Sequence, residues 1–163
     1  HAQAVHGIGR VAIVDFDVHH GNGTQDIFYE DPSVLYVSTH QSPLYPGTGA
    51  PGERGVGNIL NLPLGAGTDG RVYRPLFRDA AVAAIDAFAP DLVLLSAGFD
   101  AHVDDPLGGL RLTEDDFVWI TDVMMELADK HAGGRLVALL EGGYDLPARG
   151  RSAAAHVATL MKA

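Results

Sequence analysis

The sequence predicts an α/β domain in which a parallel sheet has helices on both faces. Short apolar runs, typical of buried strands, alternate along the chain with stretches of helical periodicity. Three of these runs end directly in polar or glycine-rich segments, as the strands of parallel sheets do where ligands bind. The 163 residues are enough for one domain with a sizeable core, and residues 1–163 are interpreted as a single domain.

The first half of the chain contains two strong strand signals and a long loop. Val11–Val14 is a buried apolar run that the turn-forming cluster His20–Gly23 follows. Val34–Ser38 is rich in β-branched and aromatic residues, which favours a second strand. Prolines and glycines recur throughout Gln41–Asn58 and predict an irregular loop, which at this length is usually functional. Ile59–Leu62 is compatible with a further short strand.

The second half continues the alternation. Arg71–Phe88 has an apolar stripe of helical period, which Pro90 ends. A second helix is predicted from the N-cap Thr113, with an acidic first turn, to Gly133. The remaining predicted elements are strands at Leu92–Leu95 and Leu136–Leu140 and a final amphipathic helix over 147–161.

Composition limits the classes of function. The net charge of −10 argues against non-specific nucleic-acid binding and is compatible with a cationic substrate. The absence of cysteine excludes disulfides and thiolate metal sites and fits a cytoplasmic location. No apolar run approaches the length of a membrane span, so we expect no membrane partner. Because of the negative net charge, we also expect no nucleic-acid partner.

A candidate metal site follows the first strand. Asp15, Asp17 and His19 stand at a spacing of two, and alternate residues of an extended chain point to the same side. We therefore expect two carboxylates and an imidazole to converge beyond the strand's end, a ligand set that suits zinc or another divalent ion. Aspartates at strand ends also commonly cap the next helix, so His19 is the residue that favours the metal interpretation.

Two other strand ends should meet this one at the same edge of the sheet. They carry SAGFDAH, which includes Asp100, and EGGYD, which includes Tyr144. Asp17, His19 and Asp100 would supply three protein ligands and leave a fourth position open, as in catalytic zinc sites. Tyr144 follows a Gly-Gly turn and could donate a hydrogen bond to a developing oxyanion, although an isolated tyrosine is more often a packed aromatic.

The remaining histidines are not predicted to be ligands. We interpret His40 and His102 as supporting or structural residues, and Asp104-Asp105-Pro106 as a turn. The histidines without a motif around them are expected to face solvent: His1, His6, His131 and His156.

Four motifs, taken in order, resemble one family. DFDVHHGNGTQ, YPGTGA, SAGFDAHVDDPLGGL and LEGGYDL are similar to segments of the zinc-dependent histone deacetylases, a family that includes acetylpolyamine amidohydrolases and acetoin-utilisation proteins. HHGNGTQ, with Asn22, resembles the class II branch. The resemblance runs across nearly the whole chain and implies an arginase/deacetylase-type three-layer fold.

The resemblance also implies roles for individual residues. Asp17, His19 and Asp100 match the zinc ligands, and Tyr144 matches the tyrosine that polarises the acetyl carbonyl. Tyr45 matches an aromatic wall of the acyl-lysine tunnel, which Gly142 and Gly143 line beside Tyr144. A structural potassium site is implied at Asp15, Ser38, the carbonyl of Thr39 and the backbone carbonyls of Asp17 and His19, and a second monovalent site near Phe28, Asp31 and Val34.

One departure from the family pattern concerns the general base. The family places a Pro-Gly-His-His segment well before the first zinc motif, and this sequence has no such segment; His1 and His6 stand in a different context. The resemblance therefore implies the C-terminal part of a deacetylase domain, incomplete in its fold. We expect this chain alone to be inactive, and to associate with itself or with a missing N-terminal segment.

The sequence thus favours a zinc-dependent amidohydrolase that removes an acetyl or other acyl group from lysine or a polyamine, by attack of zinc-bound water. A magnesium-dependent aspartate-nucleophile phosphotransferase shares the D-x-D spacing, but His19 argues against it. The related arginase branch, with two manganese ions, needs more bridging aspartates than SAGFDAH offers. A non-catalytic acyl-lysine binder or inactive remnant gains support from the missing base.

Overall fold

The computed structural model describes residues 1–162 and contains one five-stranded sheet. The strands are β1 (Val11–Asp15), β2 (Val34–Gln41), β3 (Ile59–Leu64), β4 (Leu92–Ala97) and β5 (Leu136–Leu140). Their order is β3-β2-β1-β4-β5, and each neighbouring pair runs parallel. The predicted parallel α/β architecture is confirmed, and the short run at 59–62 is a full strand.

Helices connect the strands. They are α1 (Ala2–His6), α2 (Asn22–Phe28), α3 (Gly70–Leu76), α4 (Ala83–Phe88), α5 (Glu114–Ala132) and α6 (Leu146–Leu160). A π-helical segment, Phe77–Val82, joins α3 to α4, so the helix predicted at 71–88 is one continuous helical run with a wider middle turn. Residues 42–58 form neither helix nor strand, as their prolines and glycines predict.

The two faces of the sheet carry cores of unequal size. In β1, Ala12 and Val14 join the large core, which includes Phe77 and Phe117 from the helices. Val11 and Ile13 point to the other face, where a smaller cluster includes Phe28 of α2. Because β1 is the central strand and is covered on both faces, all of its residues are buried, which explains its continuous apolar run.

Helix caps fix where the helices next to the candidate site begin. Asp116 accepts hydrogen bonds from the backbone N–H and the hydroxyl of Thr113 (2.9 and 3.1 Å), which confirms Thr113 as the N-cap of α5. Asp145 caps α6 by accepting from the backbone N–H of Ala148 at 2.8 Å. The chain therefore turns from β5 into α6 immediately after Tyr144.

Two of the histidines expected to face solvent do not. His156 is 4% exposed and its Nδ1 lies 2.7 Å from the Thr121 hydroxyl of α5. It belongs to a buried stripe along α6 that also contains Ser152 and Thr159, so polar residues occupy the inner face of this helix. His131 is largely covered, with Nε2 2.6 Å from Asp86. His1 and His6 are exposed, as predicted.

None of the helices within residues 1–162 is long and apolar enough to cross a membrane.

Candidate metal centre

Neighbouring strands bring the three predicted ligands to the same edge of the sheet. Asp17 and His19 follow β1, and Asp100 follows β4, which pairs with β1 up to Asp15 and Ser96. His19 Nδ1 lies 3.1 Å from Asp17 Oδ1 and 3.1 Å from Asp100 Oδ2. One potential ligand atom from each residue falls within 4.8 Å of the others. Asp100 is fully buried, whereas Asp17 and His19 are half-buried beside a cleft.

Asp15 does not join this group, which corrects the prediction from alternate spacing. Asp15 is the last residue of β1, and the chain bends over residues 17–19 instead of remaining extended. Its carboxylate accepts hydrogen bonds from the Tyr36 hydroxyl at 2.9 Å and from the backbone N–H of Asp17 at 3.1 Å. Burial, with a smaller contribution from the charge of Asp17, raises the pKa of Asp15 to about 7.

Backbone N–H groups hold the carboxylates of the predicted ligands in place. Asp100 Oδ1 accepts from Val18 at 2.7 Å, which leaves Oδ2 beside the imidazole. The two oxygens of Asp17 accept from His19 and Gly142, both at 2.8 Å. Burial, and then the charge of Asp17, raises the pKa of Asp100 well above its usual range. Two carboxylates this close to one imidazole form a donor set whose repulsion a divalent cation would relieve, so the residues fit the predicted metal.

Gly142 and Gly143 meet a local geometric requirement next to the predicted ligands. A Cβ added at Gly142 would overlap the carboxylates of Asp100 and Asp17, so only glycine fits there. Gly143 has a φ of 141°, a conformation that residues with a side chain rarely adopt. The predicted Gly-Gly turn thus lets the chain after β5 pass close to the predicted metal ligands, and Tyr144 follows directly.

The cleft has a volume of about 520 Å³ and includes most of the predicted site residues in its lining: Asp17, His19, Tyr45, Gly142, Gly143 and Tyr144. The rings of Tyr45 and Tyr144 stand edge-on to the His19 ring, with centroids 6.5 and 6.4 Å away. Tyr144 is half exposed, and burial together with the charges of Asp100 and Asp17 raises the pKa of its phenol. The phenol therefore stays protonated near neutral pH and is able to donate a hydrogen bond.

The residues predicted for potassium lie on the neighbouring strand. Ser38 is the register partner of Asp15, and its hydroxyl lies 2.9 Å from His40 Nδ1. The Thr39 hydroxyl lies 2.8 Å from the Tyr73 hydroxyl. At the second predicted position, the carbonyls of Phe28, Asp31 and Val34 do converge, and they accept hydrogen bonds from the side-chain amide of Asn58 at 2.7, 2.9 and 3.0 Å.

A buried polar network ties the loop 42–58 to the site. His20, the residue after the predicted ligand His19, lies 2.7 Å from the Thr48 hydroxyl and 3.0 Å from Gln25 Oε1. Gln25 donates to Glu53, which also accepts from the backbone N–H groups of Gly49 and Ala50. The loop that carries Tyr45 is therefore anchored to α2.

His40 and His102, predicted to be supporting or structural residues, lie outside the group of Asp17, His19 and Asp100. His40 is buried between Ser38 and the carbonyl of Gly49, and burial lowers its pKa to about 4. His102 is buried 3.4 Å from Glu114.

Asp105 is a site residue that sequence analysis missed. It was predicted only as part of a turn, yet its buried carboxylate accepts from the backbone N–H of Tyr144 at 2.7 Å. This hydrogen bond joins residues that are 39 positions apart, and no local sequence pattern predicts such a contact.

Comparisons with known proteins agree with the motifs. A family model described as the histone deacetylase domain matches residues 1–160. The chain is 44% identical over 165 residues to "Histone deacetylase 14, chloroplastic" of Arabidopsis thaliana, a match that covers 99% of the chain and 39% of the relative. It is 44% identical over 148 residues to "Histone deacetylase-like amidohydrolase" of Pseudomonas aeruginosa, covering 88% and 39%.

A solved structure extends the likeness to three dimensions. The crystal structure of the HDA15 HD domain superimposes with a TM-score of 0.93 at 41% identity, over 99% of this chain and 46% of that one. The chain thus spans less than half the length of these relatives.

Proposed function

The chain belongs to the histone deacetylase family, and on this premise we propose that it carries the metal-binding part of an amidohydrolase site. The proposed reaction is the removal of an acetyl or other acyl group from a lysine side chain or a polyamine. The observation that carries the proposal is the convergence of Asp17, His19 and Asp100 beside an open cleft.

Zinc is the proposed metal. Asp17, His19 and Asp100 would hold it, since two carboxylates and an imidazole form a donor set that suits this ion. When bound, zinc supplies Lewis-acid chemistry that polarises a carbonyl and acidifies a water. We also propose a structural potassium ion, bound by Asp15 of β1, by Ser38 and the carbonyl of Thr39 in β2, and by the backbone carbonyls of Asp17 and His19.

The other residues of the cleft have separate proposed roles. The Tyr144 hydroxyl donates a hydrogen bond to the amide oxygen, an interaction that strengthens as the oxygen gains charge in the transition state. The exposed ring of Tyr45 packs against the aliphatic part of the acylated amine. Gly142 and Gly143 keep side chains out of the space beside Tyr144.

The proton transfers need a group that this chain does not visibly supply. Among the described residues, the cleft lining contains two histidines, His19 and His20. His19 is a proposed ligand, and both ring nitrogens of His20 are engaged by Thr48 and Gln25. Because general acid–base catalysis contributes roughly 10²–10⁴-fold, we propose that the isolated chain lacks enzyme-like turnover. The second candidate function, acyl-lysine binding without hydrolysis, is favoured by this same observation.

Metal titration of the purified 163-residue chain tests the proposal. We expect one zinc ion per chain by calorimetry and elemental analysis, and its loss in Asp100→Ala. Asp104→Ala is the matched control, because Asp104 is an exposed neighbour outside the ligand group and should leave zinc bound. Retention of stoichiometric zinc in Asp100→Ala would refute the ligand assignment.

The activity is tested on the full-length gene product, whatever its length, with acetyl-lysine peptides and acetylated polyamines as substrates. Zinc-dependent release of acetate, abolished by chelation and restored by zinc, is the expected result. Saturable binding of the acylated substrate without release of acetate would instead support the binding function.

We propose the cytoplasm as the compartment, since a chain without cysteine fits a reducing environment. Two plant relatives carry "chloroplastic" in their names, so fractionation of the native host should compare the cytoplasm with organelles.

A further inference from the structure

A buried carboxylate connects the two loops that form the candidate site. Asp105 is 7% exposed, and both of its oxygens accept backbone hydrogen bonds. Oδ1 accepts from Leu107 at 2.9 Å and Gly108 at 3.3 Å, within its own loop after β4. Oδ2 accepts from Tyr144 at 2.7 Å and Asp145 at 3.3 Å, in the loop after β5. The charge is thus satisfied by four N–H donors.

The Tyr144 side chain depends on its backbone for its position. Its ring is half exposed, and within residues 1–162 its hydroxyl has no hydrogen-bond partner. Gly143, directly before it, has a positive φ and no side chain that could restrict the chain. The hydrogen bond at the Tyr144 N–H is therefore a principal restraint between the Gly-Gly turn and the capped start of α6.

We propose that Asp105 is a positioning residue, which fixes the Tyr144 backbone so that the phenol hydroxyl points to the amide oxygen of the substrate. The inference rests on the proposed deacetylase function and deepens it. The same loop carries Asp100, so Asp105 couples the placement of the hydrogen-bond donor to the placement of a metal ligand. A carboxylate suits this task because charge-assisted hydrogen bonds are stronger than neutral ones.

Two substitutions test this role. Asp105→Asn can accept hydrogen bonds on one side only, because its amide nitrogen is a donor and would face a backbone donor. Asp105→Ala removes both sets of hydrogen bonds. Asp104→Asn is the matched control, since Asp104 is exposed, pairs with Arg151 and has no contact with the Tyr144 backbone.

In the full-length, zinc-loaded protein, we expect Asp105→Asn and Asp105→Ala to lower kcat by about 10- to 100-fold with KM and zinc content nearly unchanged, since misplacement by about 1 Å can cost 10²-fold. Asp104→Asn should keep the wild-type kcat. In a Tyr144→Phe background, Asp105→Ala should have little further effect, because the group that it positions has already been removed. Fully multiplicative losses in the double variant would assign Asp105 a merely structural role and overturn the proposal.

Amide hydrogen exchange on the 163-residue chain supplies a readout that is independent of activity. The Tyr144 N–H should exchange faster in Asp105→Ala than in the wild type or in Asp104→Asn. Unchanged exchange would overturn the contact itself. If the full-length protein releases no acetate at all, the proposed function fails, while this measurement still decides whether Asp105 restrains Tyr144.

Discussion

Most of the charged side chains that line the cleft are carboxylates. The residues that line it include Asp15, Asp17 and Glu141, whereas Arg149 is its one arginine among the described residues. Burial raises the pKa of Asp15 to about 7, and burial with repulsion from Asp17 raises that of Asp100. In both cases burial is the largest cause, and the charge of Asp17 adds to it, so the negative form is disfavoured at these positions. A bound divalent cation would stabilise that form.

Tyr144→Phe tests the proposed hydrogen-bond donor. Removing one preorganised donor to an oxyanion typically costs 10²–10³ in kcat, and we expect a loss of about this size in the full-length protein. KM should change less, because the hydrogen bond matters most in the transition state. Zinc content should stay at the wild-type level.

Tyr29→Phe is the control for this measurement, since Tyr29 is a partly exposed tyrosine outside the cleft. Steady-state kinetics that gave equal kcat values for wild type and Tyr144→Phe would return Tyr144 to a packing role.

His156 should make the stability depend on pH. The Thr121 hydroxyl donates to the carbonyl of Phe117, so it accepts the Nδ1 proton of His156. Nε2 is buried and has no hydrogen-bond partner among residues 1–162. Burial lowers the pKa of His156 below the 6.5 of an ordinary histidine. The unfolded chain therefore binds a proton more readily, and stability should be lost as pH falls from about 6.5 toward the lowered folded value.

Urea denaturation at a series of pH values between about 7.5 and 4.5 measures this effect. We expect the pH dependence of the free energy of unfolding to differ between the wild type and His156→Leu: as the pH falls over this range, the wild type should lose stability relative to the variant. Asp15 and Asp100, whose pKa values are raised, contribute a slope of the opposite sign in both proteins, so the difference between the two curves isolates His156. His40, whose pKa is lowered to about 4, keeps part of the slope in both proteins. An identical pH dependence for the two proteins would contradict the assignment to His156.

The residues that sequence analysis placed correctly are those whose positions follow from local patterns. Asp17, His19 and Asp100 stand just after apolar runs, and the parallel order of β1 and β4 brings them together. Asp15 was misplaced because the chain bends where an extended strand was assumed. Asp105 and His156 were missed because their partners, Tyr144 and Thr121, are distant in sequence and only the tertiary fold brings them near.

At the scale of elements, the site depends on three strand ends and one anchored loop. The strands were predictable, because apolar runs bounded by glycine and proline leave few alternatives. The conformation of residues 42–58 was not, because it depends on the network of His20, Gln25 and Glu53, which joins the loop to α2. A hydrogen bond from Gln25 lowers the pKa of Glu53, so the carboxylate stays charged and can hold the loop.

The loop prediction concerns Tyr45, which is 79% exposed beside the ring of His19. Tyr45→Ala should raise KM for the acylated substrate about 2- to 10-fold, the equivalent of losing one aromatic contact of roughly 0.5–1.5 kcal/mol. The metal content and the melting temperature should not change, because the ring contributes little to the core. Substrate titration of the full-length protein gives the KM values.

Val56→Ala is the control within the same loop, since Val56 is exposed and outside the cleft lining. If Tyr45→Ala and Val56→Ala had the same KM as the wild type, Tyr45 would have no part in binding the substrate.

For the molecule as a whole, the sheet ends at an apolar edge. β5 is the last strand in the order, and Val137, Leu139 and Leu140 are 50%, 53% and 61% exposed. Leu146, at the start of α6, adds another exposed apolar side chain, 64% exposed. The sequence of β5 resembles that of a buried strand, because the strands of parallel sheets are normally covered on both faces. The position of β5 at the edge of the sheet depends on the strand order, which a local sequence pattern does not encode.

An unpaired apolar edge strand is a template for association with another chain. We therefore expect the 163-residue protein to form dimers or larger species as its concentration rises, as measured by sedimentation velocity. Leu139→Lys should shift the distribution toward monomer, because a charge on an edge strand opposes pairing.

Val72→Lys is the control: Val72 is 58% exposed on α3 and lies away from β5, so the added charge alone should not dissociate the assembly. Addition of the N-terminal half of a related deacetylase should compete for the same edge and lower the association of the wild type. A wild-type chain that stayed monomeric throughout, or one whose association Val72→Lys reduced as much as Leu139→Lys, would show that the β5 edge is not the contact.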